Sequence, residues 1–217
     1  MDAEAFIKKH AALLPVPFVP EITLYQAEKM NPVWRDLEVL VGQRDMSMPF
    51  WAFVWAGGQA IARYILDHPE VVQGLRVLDF ASGSGVGAIA AVKAGAKKVW
   101  ATDIDPVACA AMDLNAAHNE IDLEDISRLD LDRLGKKVDL IIAGDVCYEH
   151  TMSHRVMRWL RLCRQEGICV IISDPARGYA PDKNPDERLT ELATYTVPTS
   201  REIEEQDTRD VTIWELD

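Results

Sequence analysis

The sequence predicts an α/β fold: a mostly parallel sheet covered by helices on both faces and finished by an antiparallel pair of strands. Three observations carry that expectation. From Leu75 to Ser173, apolar runs of strand length alternate with helical patterns. The first run meets a Gly/Ser turn, Ala81-Ser82-Gly83-Ser84-Gly85-Val86-Gly87, and passes at once into Ala88-Ile89-Ala90-Ala91-Val92, a stretch of good helix formers. Near the C-terminus, two strand-like segments flank a charged turn, so they can pair as a hairpin.

In chain order, Ala3 to Leu14 has helical apolar spacing and stops before Pro15. Pro15, Pro17 and Pro20 then enforce an extended arm, with Ile22 to Tyr25 a short edge strand. Residues 26 to 45 give no placeable pattern, and Pro32 reads as a breaker. Pro49-Phe50-Trp51-Ala52-Phe53-Val54-Trp55-Ala56-Gly57-Gly58 reads as a bulky lid or as a plug for the core, leading into a helix over 60–66. As a lid, it places the flat faces of Trp51 and Trp55 on a cavity suited to a cationic or aromatic ligand.

Strands follow at 75–80, 98–102, 124–127, 138–143 and 167–173, with helices at 84–94, 106–119 and 153–164 between them. Pro106 suits the first turn of its helix, with Asp105 as the N-cap. Asp186 to Leu192 reads as a helix, then 193–198 and 210–216 as strands around the charged turn 200–209.

Composition bounds the function. With 217 residues and 48% hydrophobic content the chain is long enough for one large core. The richest apolar stretch, Met48 to Ile61, is broken by Gly57, Gly58 and Gln59, which argues against a membrane span. The N-terminus has neither the basic start nor the apolar core of a signal peptide, so a cytoplasmic protein is expected. A net charge of −12 opposes nucleic acid and favours cationic partners such as a lysine-rich protein surface, though acidity also serves solubility. The four cysteines form no C-x-x-C pair, and the five histidines form no spaced pair suited to a metal, so no metal site is expected.

The Gly/Ser turn is the expected ligand cradle, because small residues admit close approach and the helix behind it aims free N–H groups at the same space. Read as Gly83-x-Gly85-x-x-Ala88 with Asp103 further on, it satisfies a dinucleotide fingerprint, and a turn of this kind also serves as a plain tight connection. Asp79 tilts the balance: a carboxylate there would face the phosphates of a dinucleotide but would welcome an amino group or sulfonium. Acids end four strands, at Asp79, Asp103, Asp145 and Asp174, where ligands of open α/β sheets collect.

Asp79-Phe80-Ala81-Ser82-Gly83-Ser84-Gly85, Asp103-Ile104-Asp105-Pro106 and Asp145-x-x-Tyr148 resemble the seven-strand S-adenosylmethionine-dependent methyltransferases, in particular the protein-lysine methyltransferases with a D-x-x-Y/F motif. The Trp-rich entry at 49–59 and Asp174-Pro175-Ala176-Arg177 look like the electron-transfer flavoprotein beta-subunit lysine methyltransferases and their bacterial relatives. The resemblance covers roughly residues 15 to 217. It implies a Rossmann-like seven-strand sheet and a single methyltransferase domain over 1–217, with 1–70 an arm and lid-like helical extension and 71–217 a cofactor-binding core.

The resemblance also implies roles. Asp79, Ala81, Gly83 and Gly85 would hold the methionine end of S-adenosylmethionine, Asp103 and Ile104 its ribose region, and Trp55 would pack on it. Asp145 and Tyr148 would be catalytic, lying beside the methyl group, with Asp145 also touching the cofactor. Trp51, Tyr148 and Glu149 would shape the lysine channel. The family's usual first glycine is Ala81 here, which is expected to keep the backbone from glycine-only angles. The implied reaction is in-line methyl transfer to a neutral lysine amine of the flavoprotein beta subunit by a monomer that contacts neither nucleic acid nor membrane. A methyltransferase for another protein, such as a ribosomal protein, or for a nicotinamide-like amine shares the same loop. A non-catalytic binding module is the remaining class.

Overall fold

The computed structural model describes residues 2–41, 48–127, 138–184 and 187–217. Its centre is a seven-stranded sheet in the order β5-β4-β3-β6-β7-β9-β8. Strands β3 (Arg76–Phe80), β4 (Lys98–Thr102), β5 (Asp125–Ser127), β6 (Leu140–Gly144) and β7 (Cys169–Asp174) are parallel. β9 (Thr208–Leu216) runs antiparallel between β7 and β8 (Leu189–Pro198), so the sheet is the mostly parallel one expected, with an antiparallel pair at its C-terminal end.

Side-chain alternation along the strands builds a core on each face. Val77, Val99, Leu140 and Ile142 face the cluster that includes Ile61 and Ile65 of α3 (Ala56–Asp67) and Ile89 of α4 (Val86–Lys93). Leu78, Phe80, Ile141 and Ile172 face Val156, Trp159 and Leu160 of α6 (His150–Gln165). A third cluster joins α1 (Ala3–His10), α2 (Met30–Val41), Trp51, Phe53 and the first turns of α5 (Pro106–His118). Strand order reverses between β3 and β6, which opens a crevice at their carboxyl ends. Among the described residues no helix is long and apolar enough to cross a membrane.

Several boundaries differ from the sequence reading. The helix expected to Leu14 ends at His10, and β1 (Ala12–Val16) pairs with β2 (Val19–Gln26) in a separate two-stranded sheet. Pro15 cannot continue a helix, and this hairpin takes up the arm and edge strand together. The unplaced region holds α2, with Pro32 in its first turn, where its missing N–H costs nothing. Residues 42–45 of that region lie outside the described residues. α3 starts at Ala56 rather than Ala60, and α6 at His150 rather than Ser153, since Glu149 caps it through the Thr151 and Met152 N–H groups.

The helix expected over 186–192 is overturned from Leu189 onward. That segment opens β8 and pairs with β9, Leu189 against Leu216, so tertiary pairing overrides local pattern. Asp186 lies outside the described residues. The charged turn contains a single helical turn, α7 (Arg201–Glu204), capped by Ser200.

Candidate functional site

Three strands leave the sheet at the crevice by the same device. Ala81 after β3, Asp145 after β6 and Ala176 after β7 have φ of 52°, 55° and 56°, and each turns the chain sharply across the strand ends. Left-handed backbone in non-glycine residues persists only where surrounding contacts over-determine it, and it concentrates at functional sites. The expectation for Ala81 is thereby corrected: alanine stands in the left-handed region that a glycine would occupy without strain.

Below the loop, Asp79 is nearly inaccessible. Its Oδ2 accepts the Ser82 hydroxyl and the Ala88 N–H, the latter at 2.8 Å, so it ties the end of β3 to the first turn of α4. A β-carbon on Gly87 would stand 3.0 Å from the same oxygen, which explains glycine there. Burial pushes the Asp79 carboxyl up to about 7, opposed by the hydrogen bonds from Ser82 and Ala88. Asp79 and Gly85, the left-handed N-cap of α4, stand behind the loop rather than on the cavity wall.

The cavity has a volume of about 890 Å³. Ala81, Gly83, Asp103 and Ile104 line one side of it; Trp51, Trp55, Asp145, Tyr148 and Glu149 line the rest. Asp103 accepts the Gly83 N–H through Oδ2 and the Asp105 N–H through Oδ1, both at 3.0 Å, which fixes its carboxylate between the loop and α5. Burial raises its pKa. Asp105 caps α5 through the Val107 N–H, as its place before Pro106 predicts. Glu149 uses both oxygens on the α6 cap, and those N–H groups lower its pKa.

Aromatic rings form one wall. Tyr148 meets Phe50 at 5.0 Å between centroids, Phe50 meets Trp55 at 5.6 Å, and the Trp55 Nε1–H donates to the Phe50 carbonyl. Trp51 serves both expectations for its segment: it lines the cavity and is also a buried plug packed on Phe6. Tyr148 is 43% exposed at the cavity mouth.

Against Trp55 stands a charged cluster that the sequence only partly assembles. Asp145 Oδ1 accepts from Arg177 Nη2 at 2.7 Å, and Oδ2 accepts the Gly58 N–H at 3.0 Å. The Arg177 guanidinium lies 5.6 Å from the Trp55 ring centre and donates to both oxygens of Glu204 at 3.0 and 3.1 Å. Burial raises the Asp145 pKa, Arg177 pulls it down and Glu204 pushes it further up. Arg177 closes a strand-end motif that the sequence singles out without giving it a role. Glu204 carries no local signal, being one acid in a charged turn.

One further difference concerns the histidines. His150 and His154 are one helical turn apart, with their Nε2 atoms 3.2 Å apart, beside a second cavity of about 250 Å³ that Tyr179 also lines. The i, i+4 spacing does bring two ring nitrogens together. Among the described residues, though, no cluster of three or more His, Cys, Asp or Glu could hold a metal.

Comparison with known proteins gives three kinds of match. Residues 61–148 match the family described as ribosomal protein L11 methyltransferase. The chain is 36% identical over 217 residues to the electron transfer flavoprotein beta subunit lysine methyltransferase of Xenopus laevis, covering 98% of this chain and 86% of the relative. It is likewise 36% identical over 220 residues to the Homo sapiens protein of the same name, covering 98% and 81%. Among solved structures, magnesium protoporphyrin IX methyltransferase from Synechocystis PCC 6803 with bound SAM superposes with a TM-score of 0.54 at 18% identity, over 74% of this chain and 78% of that one. That likeness shows the fold.

Proposed function

The chain belongs to the electron transfer flavoprotein beta subunit lysine methyltransferase family, and we propose that it transfers methyl groups from S-adenosylmethionine to lysine side chains of that flavoprotein's beta subunit. The observation that carries the reading is the near full-length match together with a strand-end cavity that is both acidic and aromatic. The L11 methyltransferase match spans 61–148, the loop-bearing part of the fold, and so supports a shared cofactor core rather than a second substrate.

The residues present fit this cofactor. Asp103, Asp105, Asp145 and Glu149 line the cavity against two guanidinium groups, Arg155 and Arg177, and Arg177 is already paired. A pyrophosphate would meet net negative charge there, whereas a cationic, phosphate-free ligand is attracted. S-adenosylmethionine, when bound, supplies a methyl group on a sulfonium. Asp103 would hold its ribose hydroxyls, the loop from Ala81 to Gly83 its methionine end, and Trp55 would pack against it. Asp79 would hold the loop in shape from behind. Residues 49–58 would act as the lid of the cofactor core.

The rest of the chemistry belongs to the lysine. Only the neutral amine is nucleophilic, and free lysine has a pKa of about 10.4, so the site must favour loss of its proton. Desolvation by Phe50, Tyr148 and Trp55 lowers an amine's pKa. The Asp145 carboxylate attracts the ammonium form and orients it, a positioning role rather than strong base catalysis. Holding amine and methyl donor in line then supplies most of the rate.

Incubation with labelled S-adenosylmethionine and the flavoprotein beta subunit tests the reading. Label on the subunit that is lost in Asp145→Ala supports it; no transfer from the wild-type enzyme sinks the substrate assignment. Calorimetry with S-adenosylmethionine against NAD tests the cofactor separately.

A further inference from the structure

We propose that Arg177 and Glu204 are positioning residues that set the charge around Asp145, and thereby the pH at which the acceptor lysine gives up its proton. This rests on the methyl-transfer reading above and goes beyond it by naming what controls the acceptor's protonation.

A lone buried carboxylate beside the acceptor would work against the reaction. It binds ammonium well, and by doing so keeps the amine in its unreactive form. Arg177 changes that balance. Its guanidinium is permanently charged, lies on the cavity wall, and donates to Asp145 Oδ1 at 2.7 Å. The carboxylate still presents an oriented oxygen, but its field at the acceptor is largely cancelled.

Glu204 acts one layer further back. It is 4% exposed, is absent from the cavity lining, and accepts both Arg177 Nη atoms in a bidentate pair. It also accepts the Ala56 N–H at 3.4 Å, at the first turn of α3, and lies 3.5 Å from Arg209 Nε. Glu204 therefore fixes the plane of the guanidinium and offsets part of its charge, while Arg209 in turn offsets Glu204.

Among the described residues, further charged and titratable groups act on the cluster. Asp174 at the end of β7 accepts the Arg177 N–H at 2.8 Å; its second oxygen is buried without a hydrogen bond, and burial pushes its carboxyl up to about 7. Asp182 adds to that rise. Cys147, two residues after Asp145, is pushed up to about 12 by burial, with Asp174, Glu187 and Asp145 adding to the rise, and stays a thiol. Across the cavity, Asp103 and Glu149 act on Tyr148. Arg177 donates hydrogen bonds to both Asp145 and Glu204 and so joins the two carboxylates.

The experiment compares wild type with Arg177→Met, Arg177→Lys and Glu204→Gln. It records the pH dependence of kcat at saturating subunit and cofactor for labelled methyl transfer, which reports groups in the bound complex, together with subunit binding without cofactor and thermal unfolding. Removing the positive charge in Arg177→Met moves the alkaline midpoint up by about one unit and tightens cofactor-free binding several-fold. Glu204→Gln moves the midpoint down, by about half a unit, and weakens that binding. Arg177→Lys keeps the charge and restores the wild-type midpoint at a lower rate. If Arg177→Met does not fold, the separation between Arg177→Lys and Glu204→Gln decides the matter. Coincident midpoints with only the rate or melting temperature lowered make the cluster a structural pin and overturn the proposal. A wild-type enzyme that transfers nothing to the subunit overturns the functional reading, and the proposal with it.

Discussion

Gly144, the last residue of β6, lies so close to the first turn of α3 that a β-carbon built on it would stand 2.9 Å from the backbone nitrogen of Gly58. That nitrogen donates to Asp145 Oδ2, and a β-carbon on Gly57 would meet the same oxygen at 2.5 Å. Gly144 and Gly57 thus let a helix N-terminus close onto a strand end and grip the carboxylate between them.

Gly144→Ala meets backbone rather than a flexible side chain, so α3 must shift. The expected cost is about 2–4 kcal/mol in denaturant unfolding, with a loss of activity larger than the loss of folded protein. Gly178→Ala is the control, since nothing lies within 4 Å of its β-carbon and its φ is not positive. A stability change there of more than about 1 kcal/mol, or none at Gly144, would contradict the interlock.

Ala81 gives a backbone test. At φ 52° alanine pays about 1 kcal/mol of strain that glycine avoids, while glycine loses part of that gain through a more flexible unfolded chain. Ala81→Gly is therefore expected to hold or slightly raise the melting temperature. Ala81→Val, β-branched in the same turn, lowers stability by about 1–3 kcal/mol. Equal melting temperatures for the glycine and valine variants would show that the loop does not hold this conformation in solution.

The parts legible in the sequence are those whose causes are local. The strand, Gly/Ser turn and helix from Leu78 to Val92 announce themselves by apolar runs and small residues, and Asp105 before Pro106 by capping chemistry. Residues 12–14 read as helix because helical spacing and strand alternation agree over so few positions, and their partner β2 is what decides between them. Leu189 to Leu192 follow the same logic, with β9 as the deciding partner. Glu204 was illegible for a further reason: its meaning comes from Arg177, 27 residues earlier, and no periodicity links an acid in a turn to a guanidinium at a strand end.

Arg76 and Asp139 pin the starts of β3 and β6 to each other. Arg76 Nε and Nη2 donate to the two carboxylate oxygens at 2.9 and 2.6 Å, and the Arg76 N–H adds a third bond at 2.8 Å. The guanidinium, then the backbone N–H, pull the Asp139 carboxyl from 3.8 down to about 2. A depressed folded value contributes stability above the unfolded pKa, and that contribution is lost as pH falls through the folded one. The pair is partly exposed, so its contribution is a fraction of what the shift alone implies. Asp139→Asn should lower the melting temperature at neutral pH, and the difference from wild type should shrink as pH falls from 3.8 towards about 2. A difference that stays constant over that window would show that Asp139 titrates alike in both states.

Asp79 runs in the opposite sense. Burial raises its carboxyl from 3.8 to about 7, so between those values the folded state holds a proton that the unfolded state has released. Stability from this group therefore falls as pH rises across that window and is level above it. Asp79→Asn keeps an acceptor for the Ser82 hydroxyl and the Ala88 N–H but has no proton to lose. Unfolding free energies measured at several pH values should show the wild type losing ground to Asp79→Asn as pH rises from about 4 to about 7, by a few kcal/mol at most, and then running parallel to it. If the two curves run parallel throughout, the carboxylate is solvated in the folded protein and does not sit beneath the loop as the support for α4.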